Sequence, residues 1–265
     1  MSIHPTAIVS PKAELDSTVE VGPCAVIEDH VRIGPRTKIG PHAYVTGWTD
    51  IGPDNVIHFG AVIGDKPQDL GYDGSETFLK IGAGNILREH VTVHRGALKD
   101  DRTTRIGDGC YFMCTSHVGH NSQVGNNVVM ANCATLGGHV IIEDRANISG
   151  SCLVHQFVRL GTLCLMRGGS RVSKDVPPYC ITNHTNDVSG LNIIGMRRAG
   201  MSLATRTALK QAFRTLYLGG LNVSDALVQL RQMPESPELK HFIEFIAASK
   251  RGICAFSGKE SSEME

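Results

Sequence analysis

Four histidines, His117, His120, His139 and His155, stand close together in the chain. Imidazole changes its charge nearest to neutral pH, so a group of them suits proton transfer in general acid–base catalysis. The same side chain is a common zinc ligand. No cysteine or acid joins His117 and His120 at a typical ligand spacing, so general-base chemistry fits better than a metal. The separations carry further information. His120 and His139 are 19 residues apart, His139 and His155 are 16 apart, and His120 and Gln156 are 36 apart. In a chain wound in 18-residue coils, these side chains lie near one angular position on three successive coils. Coils stacked like the strands of a sheet are about 4.8 Å apart. The imidazoles and the Gln156 amide are therefore expected to form a column lining a single groove.

A repeat must position them. Aliphatic residues recur at every sixth position from Ile3 through Val9, Leu15, Val21, Ile27 and onward to Ile63. The series resumes at Ile81, Leu87 and Val93, and again from Ile106 to Val172. Glycine often follows, as at Gly22, Gly40, Gly64, Gly107 and Gly137. A helix needs apolar residues about every 3.6 positions, so a strict period of six is no helix stripe. An even period returns each aliphatic to the same face of a strand. Short strands joined by turns around an aliphatic core make a solenoid, in which each coil touches only its neighbours.

The formal net charge of the 265-residue chain is zero, which removes any overall drive toward nucleic acid. From Gln156 to Arg214, however, nine Lys or Arg face two acids, a segment suited to an acidic partner. The eight cysteines include no CxxC pair. With no signal peptide and no apolar run long enough to span a bilayer, reduced thiols, a cytoplasmic location and no stable membrane insertion are expected. Residues 65–80 and 94–105 interrupt the hexads, and long loops on a rigid scaffold are favoured places for function. The repeat is expected to end near Asp175–Tyr179, where two prolines stop sheet pairing. Beyond it, a short helix is expected near Ile194–Ala199. Three longer ones are expected, capped by Ser202, Ser224 and Ser236. The expected division is a solenoid over 1–188, a helical domain over 189–256 and a disordered tail over 257–265.

Longer motifs carry a resemblance. They are Gln68-Asp69-Leu70, Val93-His94-Arg95-Gly96, His117-Val-Gly-His120, Gly138-His139-Val140, Val154-His155-Gln156-Phe157, Asp175-Val-Pro-Pro-Tyr179 and Gly190-Leu-Asn192, followed by Gly195-Met-Arg197-Arg198. With these the chain resembles the acyl-[acyl-carrier-protein]–UDP-N-acetylglucosamine O-acyltransferases of lipid A biosynthesis, a branch of the hexapeptide-repeat acyltransferase family. The resemblance covers nearly the whole chain. It implies a mainly β fold, a left-handed parallel β-helix followed by a small C-terminal α-helical domain. It implies transfer of a 3-hydroxyacyl chain from acyl carrier protein to the 3-hydroxyl of UDP-N-acetylglucosamine, with no cofactor and no metal, by a homotrimer with active sites between subunits.

By the same resemblance His120 is the general base, and the Gly138 N–H faces the oxyanion. His117, His139 and His155 shape the site with Gln156, and Gln68 and Asp69 contact sugar and acyl groups. Asn192 contacts the nucleotide, Arg198 a phosphate, and Gly168 limits the depth of the acyl pocket. The chain departs from the usual pattern at Asn121, where Asp follows the base, at Gly71 for Lys, Ile194 for Glu and Ala199 for a second Arg, and at Arg167, where Gly is common. Gly71 and Ile194 motivate an alternative, a divergent paralogue acylating another nucleotide sugar. A γ-carbonic-anhydrase-like metalloprotein shares the solenoid and its histidines, but the helical tail with Arg197-Arg198 argues against it.

Overall fold

The computed structural model describes residues 1–256, so the expected disordered tail, 257–265, lies outside the described residues. The hexads fold as two-residue strands separated by two-residue turns, and three hexads close one coil. Ser2–Ile3, Ile8–Val9 and Glu14–Leu15 begin three sheets of 12, 9 and 8 strands, here the first, second and third. Pairing is parallel and eighteen residues apart: Ile8 lies against Val26, and Val26 against Tyr44. The inward residue of each strand is buried, so Ile27, Val45, Ile63, Val93, Val118, Leu136 and Val154 stack into one continuous core under the second sheet.

The turns require the left-handed region of backbone space, and among the described residues twenty that are not glycine adopt it. Such a conformation costs a residue about 1–2 kcal/mol. The corner is retained because it aligns both flanking strands with the coils above and below. Asn121, His139 and Phe157 stack in one such corner column, with φ of 59°, 59° and 65°.

The two breaks in the hexads leave the coil intact. Val62 pairs with Thr92, thirty residues on, so twelve residues are looped out between them. Thr92 pairs with His117, twenty-five residues on, which loops out seven.

At the C-terminal end, Cys180–Asn183 adds to the first sheet in parallel, beyond the prolines expected to end it. Asp187–Leu191 then pairs antiparallel, and Ala255–Phe256 returns to the outer edge. The expected junction at 188/189 falls inside the strand Asp187–Leu191.

Four helices follow: α1 (Ile193–Arg198), α2 (Leu203–Leu218), α3 (Val223–Leu230) and α4 (Pro237–Ala247). Ser202 and Ser236 cap α2 and α4, as their positions predict. The second cap is Asn222 rather than Ser224, because the Asn222 carboxamide accepts from the Asp225 N–H. Leu239, Phe242, Phe245 and Ile246 give α4 its buried stripe. It is tied to the solenoid by His241 Nε2 on Glu143 Oε2 at 2.7 Å and by Arg159 over the Phe245 ring at 4.0 Å. Among the described residues no helix is long and apolar enough to cross a membrane.

Candidate active site

A cleft of about 530 Å³ runs along the second sheet, lined by Gln68, His94, His117, His120, Gly138, His155 and Gln156 among others. The expected single column of imidazoles is not formed. A shift of one or two residues from eighteen moves a side chain to the neighbouring column. His120 stacks with Gly138 and Gln156, whereas His139 stacks with Asn121 and Phe157 at the corner behind them. His117 lies on the sheet face, paired in register with Thr92 and Thr135. His117, His120 and His155 reach one cleft from three columns, and His139 stands behind it.

His120 is oriented by the residue after it. Its Nδ1 lies 2.9 Å from Asn121 Oδ1. The Asn121 amide is buried and cannot turn over. Its oxygen accepts from the Ala97 N–H at 2.7 Å, and its nitrogen donates to the Lys99 carbonyl at 2.9 Å. An oxygen facing Nδ1 requires that Nδ1 carry the proton and donate it. In the neutral ring Nε2 then holds the free lone pair. That nitrogen abuts Gly138: a Cβ placed there would lie 2.6 Å from it. The Gly138 carbonyl accepts from the Phe157 N–H at 3.1 Å, while its own N–H is bonded to no backbone carbonyl among the described residues.

The other rings serve differently. His117 Nδ1 bonds Thr92 Oγ1 at 2.7 Å. Burial, then the neighbouring His94 and His120, push its pKa down to about 4. A ring whose cation is so disfavoured is a poor proton acceptor at neutral pH. His94, which the sequence reading did not single out, packs edge-on to His117 with ring centroids 5.0 Å apart. Burial lowers its pKa as well, and its Nδ1 has no partner among the described residues. Its signal was available in the Val93-His94-Arg95-Gly96 motif. What hid its place beside His117 is the seven-residue excursion, which puts the two rings out of hexad phase. His139 is buried behind the cleft, with Nδ1 on Asp100 Oδ2 at 2.8 Å. His155 sits at the rim, its Nδ1 3.4 Å from an Arg251 nitrogen.

Gln68 reaches the cleft from the twelve-residue excursion. Arg95 holds that loop, donating to Gly64 O at 2.8 Å and to the Tyr72 hydroxyl at 3.1 Å. Its guanidinium also lies over the rings of Trp48 and Tyr72. Asp69, on the same loop, accepts from the Gly71 N–H at 2.9 Å.

Five expected residues do not line the cleft of the single chain: His139 and Asp69, placed above, and Gly168, Asn192 and Arg198. Gly168 is exposed at the next corner, where a Cβ would come no nearer than 3.6 Å to Gly150 O. Asn192 caps α1, accepting from Gly195 N–H and donating to Leu163 O. Arg198 is exposed in the last turn of that helix. No group of three or more metal-ligating side chains occurs among the described residues.

Comparison with known proteins agrees with this fold. The family model described as UDP-N-acetylglucosamine O-acyltransferase, domain 2, matches residues 175–254. The bacterial transferase hexapeptide model matches 30–65 and 103–138. The acyl-[acyl-carrier-protein]–UDP-N-acetylglucosamine O-acyltransferase of Alkalilimnicola ehrlichii is 48% identical over 253 residues, covering 95% of this chain and 98% of that protein. That of Burkholderia orbicola is 47% identical over 257 residues, covering 95% and 98%. Among solved structures, the UDP-N-acetylglucosamine acyltransferase of Francisella novicida superposes with a TM-score of 0.93 at 32% identity, covering 99% of this chain and 100% of that one. The enzyme of Bacteroides fragilis gives 0.91 at 40% identity, covering 95% and 99%.

Proposed function

The chain belongs to the UDP-N-acetylglucosamine O-acyltransferase family, and from that premise we propose that it transfers a 3-hydroxyacyl group from acyl carrier protein to the 3-hydroxyl of UDP-N-acetylglucosamine, the first step of lipid A biosynthesis. The observation that carries the residue assignment is the locked Asn121 amide, which leaves His120 Nε2 as the free lone pair beside Gly138. In this reading Nε2 accepts the hydroxyl proton as the sugar oxygen bonds to the thioester carbon. The carbonyl oxygen becomes an oxyanion and takes the Gly138 N–H, a donor placed where charge develops. The tetrahedral intermediate collapses, the carbon–sulfur bond breaks, and the imidazolium returns its proton to the leaving thiolate. Gln68, His117, His155 and Gln156 line the path of the two substrates, and His94 joins them.

Gly168, Asn192, Arg198 and Asp69 fit this scheme in a homotrimer, in which a neighbouring subunit covers the open side of each cleft. Arg198 then meets diphosphate oxygens, for which a guanidinium fork is suited. The exposed Arg167, Arg171, Arg197, Lys210 and Arg214 at the C-terminal end suit docking of an acidic carrier protein in the cytoplasm.

The test is direct. The protein is incubated with UDP-N-acetylglucosamine and a series of 3-hydroxyacyl carrier proteins, and the products are weighed. Wild type should give a sugar nucleotide heavier by one 3-hydroxyacyl group. His120→Ala should lower kcat by about 10²–10⁴, the usual worth of a general base, without loss of the fold. A variant that turns over like wild type would remove His120 from the mechanism.

A further inference from the structure

We infer that Asp100 is a positioning residue for the catalytic corner: its carboxylate holds the His139 ring, and that ring holds His120 in its working orientation. This rests on the reading of His120 as the base.

The geometry is a short stack. His139 Nδ1 meets Asp100 Oδ2 at 2.8 Å, with side-chain exposures of 7% and 70%. One face of the His139 ring lies on Phe157, centroids 4.5 Å apart and 20° from parallel. The ring also meets His120 edge to face, at 5.3 Å and 85°. The main chain ties the two residues as well, since the His139 N–H donates to the His120 carbonyl at 2.8 Å. A buried ring nitrogen without a partner is costly. Without the carboxylate, water can take its place but does not fix the ring, which is then free to turn and give up the stack on Phe157 and the edge against His120.

One excursion of the chain supports both rings. The residues looped out before His117 carry Ala97, Lys99 and Asp100. The first two lock the Asn121 amide against His120, and the third takes His139. The resemblance implies that related chains carry a carboxylate directly after the base. In its place stands an amide, and a carboxylate sits one ring further back. Asp100 is exposed enough for solvent to screen its charge. What it contributes is therefore an acceptor at a set place rather than a field.

The experiment compares wild type, Asp100→Ala and Asp100→Asn. Steady-state kinetics use a 3-hydroxyacyl carrier protein and UDP-N-acetylglucosamine, and ¹⁵N NMR reads the ring tautomers in the free proteins. Asp100→Ala should lower kcat about tenfold, a misplacement effect. KM for the sugar should stay within about twofold, as when binding is untouched. His139 should leave the Nδ1–H tautomer. Asp100→Asn keeps an oxygen at the same place and should recover most of both. Wild-type kcat in the alanine variant overturns the inference. So does an asparagine variant as impaired as alanine, since charge rather than placement would then be at work. The NMR readout needs no turnover. An inactive wild type would sink the substrate reading, whereas an unmoved His139 tautomer in Asp100→Ala would sink this one alone.

Discussion

Gly138 and His120 are so close that the absence of a side chain at 138 is itself a requirement of the site. Gly138 does not use the left-handed backbone region, so alanine is conformationally allowed there. Its Cβ would still lie 2.6 Å from His120 Nε2 and 2.7 Å from Cε1. Gly138→Ala should leave circular dichroism unchanged and lower kcat at least about tenfold by pushing the base aside. Near-normal turnover would show that Nε2 is not the working atom. The residue types at this site were legible in the sequence: His120, Gly138 and His155 all line the cleft. Its hydrogen-bond logic was not. Asn121 reads as the loss of a carboxylate until the Ala97 and Lys99 main chain is seen to hold its amide. Those two residues come from a loop with no periodicity, so nothing in the spacing points to them.

At the scale of elements, the join between α4 and the solenoid is pH-sensitive. The Glu143 carboxylate beside His241 raises the ring's pKa above 6.5. The carboxyl of Glu143 is held below 4.5 against its burial, by His241 and Thr162. A raised histidine contributes stability fully below its unfolded pKa and loses it as pH rises through the folded value. A depressed carboxylate contributes above its unfolded pKa and loses it as pH falls. The link is therefore strongest from about pH 5 to 6.5. His241→Gln should lower Tm more at pH 6 than at pH 8.5. The contribution should stay under about 1 kcal/mol, because the ring is partly exposed. Equal shifts at both values would mean that the ion pair is not formed in solution. The helices themselves were readable from their caps and apolar stripes, except that Asn222 rather than Ser224 opens α3. Both are good caps within two residues, and local sequence does not rank them. The pairing of His241 with Glu143 joins residues 98 apart and has no local signature.

For the whole molecule, the open cleft and the exposed Gly168 fit the trimer proposed above, in which another copy would cover each face of the solenoid. Gly168 is not left-handed and has room for a side chain within its own protomer. Gly168→Met should therefore fold, remain trimeric by sedimentation, and shorten the preferred acyl chain by several methylenes. Each methylene excluded is worth about 0.8 kcal/mol, or about fourfold in preference. An unchanged chain-length profile would put the acyl tail elsewhere. The architecture was visible in the sixfold aliphatic series, because a buried residue in every strand leaves a periodic trace. Its handedness was not, since spacing alone does not distinguish a coil from its mirror image.

Strands eighteen residues apart make this chain behave toward insertions and deletions as a message behaves toward its reading frame. Removing one whole coil below the cleft would bring every later coil down by about 4.8 Å and leave all columns in phase. Removing a single hexad would keep the aliphatics inward but rotate everything above it by one face, parting Asn121 from the loop that locks it. Removing one residue would turn the core outward. The two natural interruptions escape these penalties because each leaves the coil and returns to the same register. Lineages of such a protein can therefore change length in two ways, by whole coils or by loops at corners, and the corner that carries His120 and Asn121 travels unchanged with either.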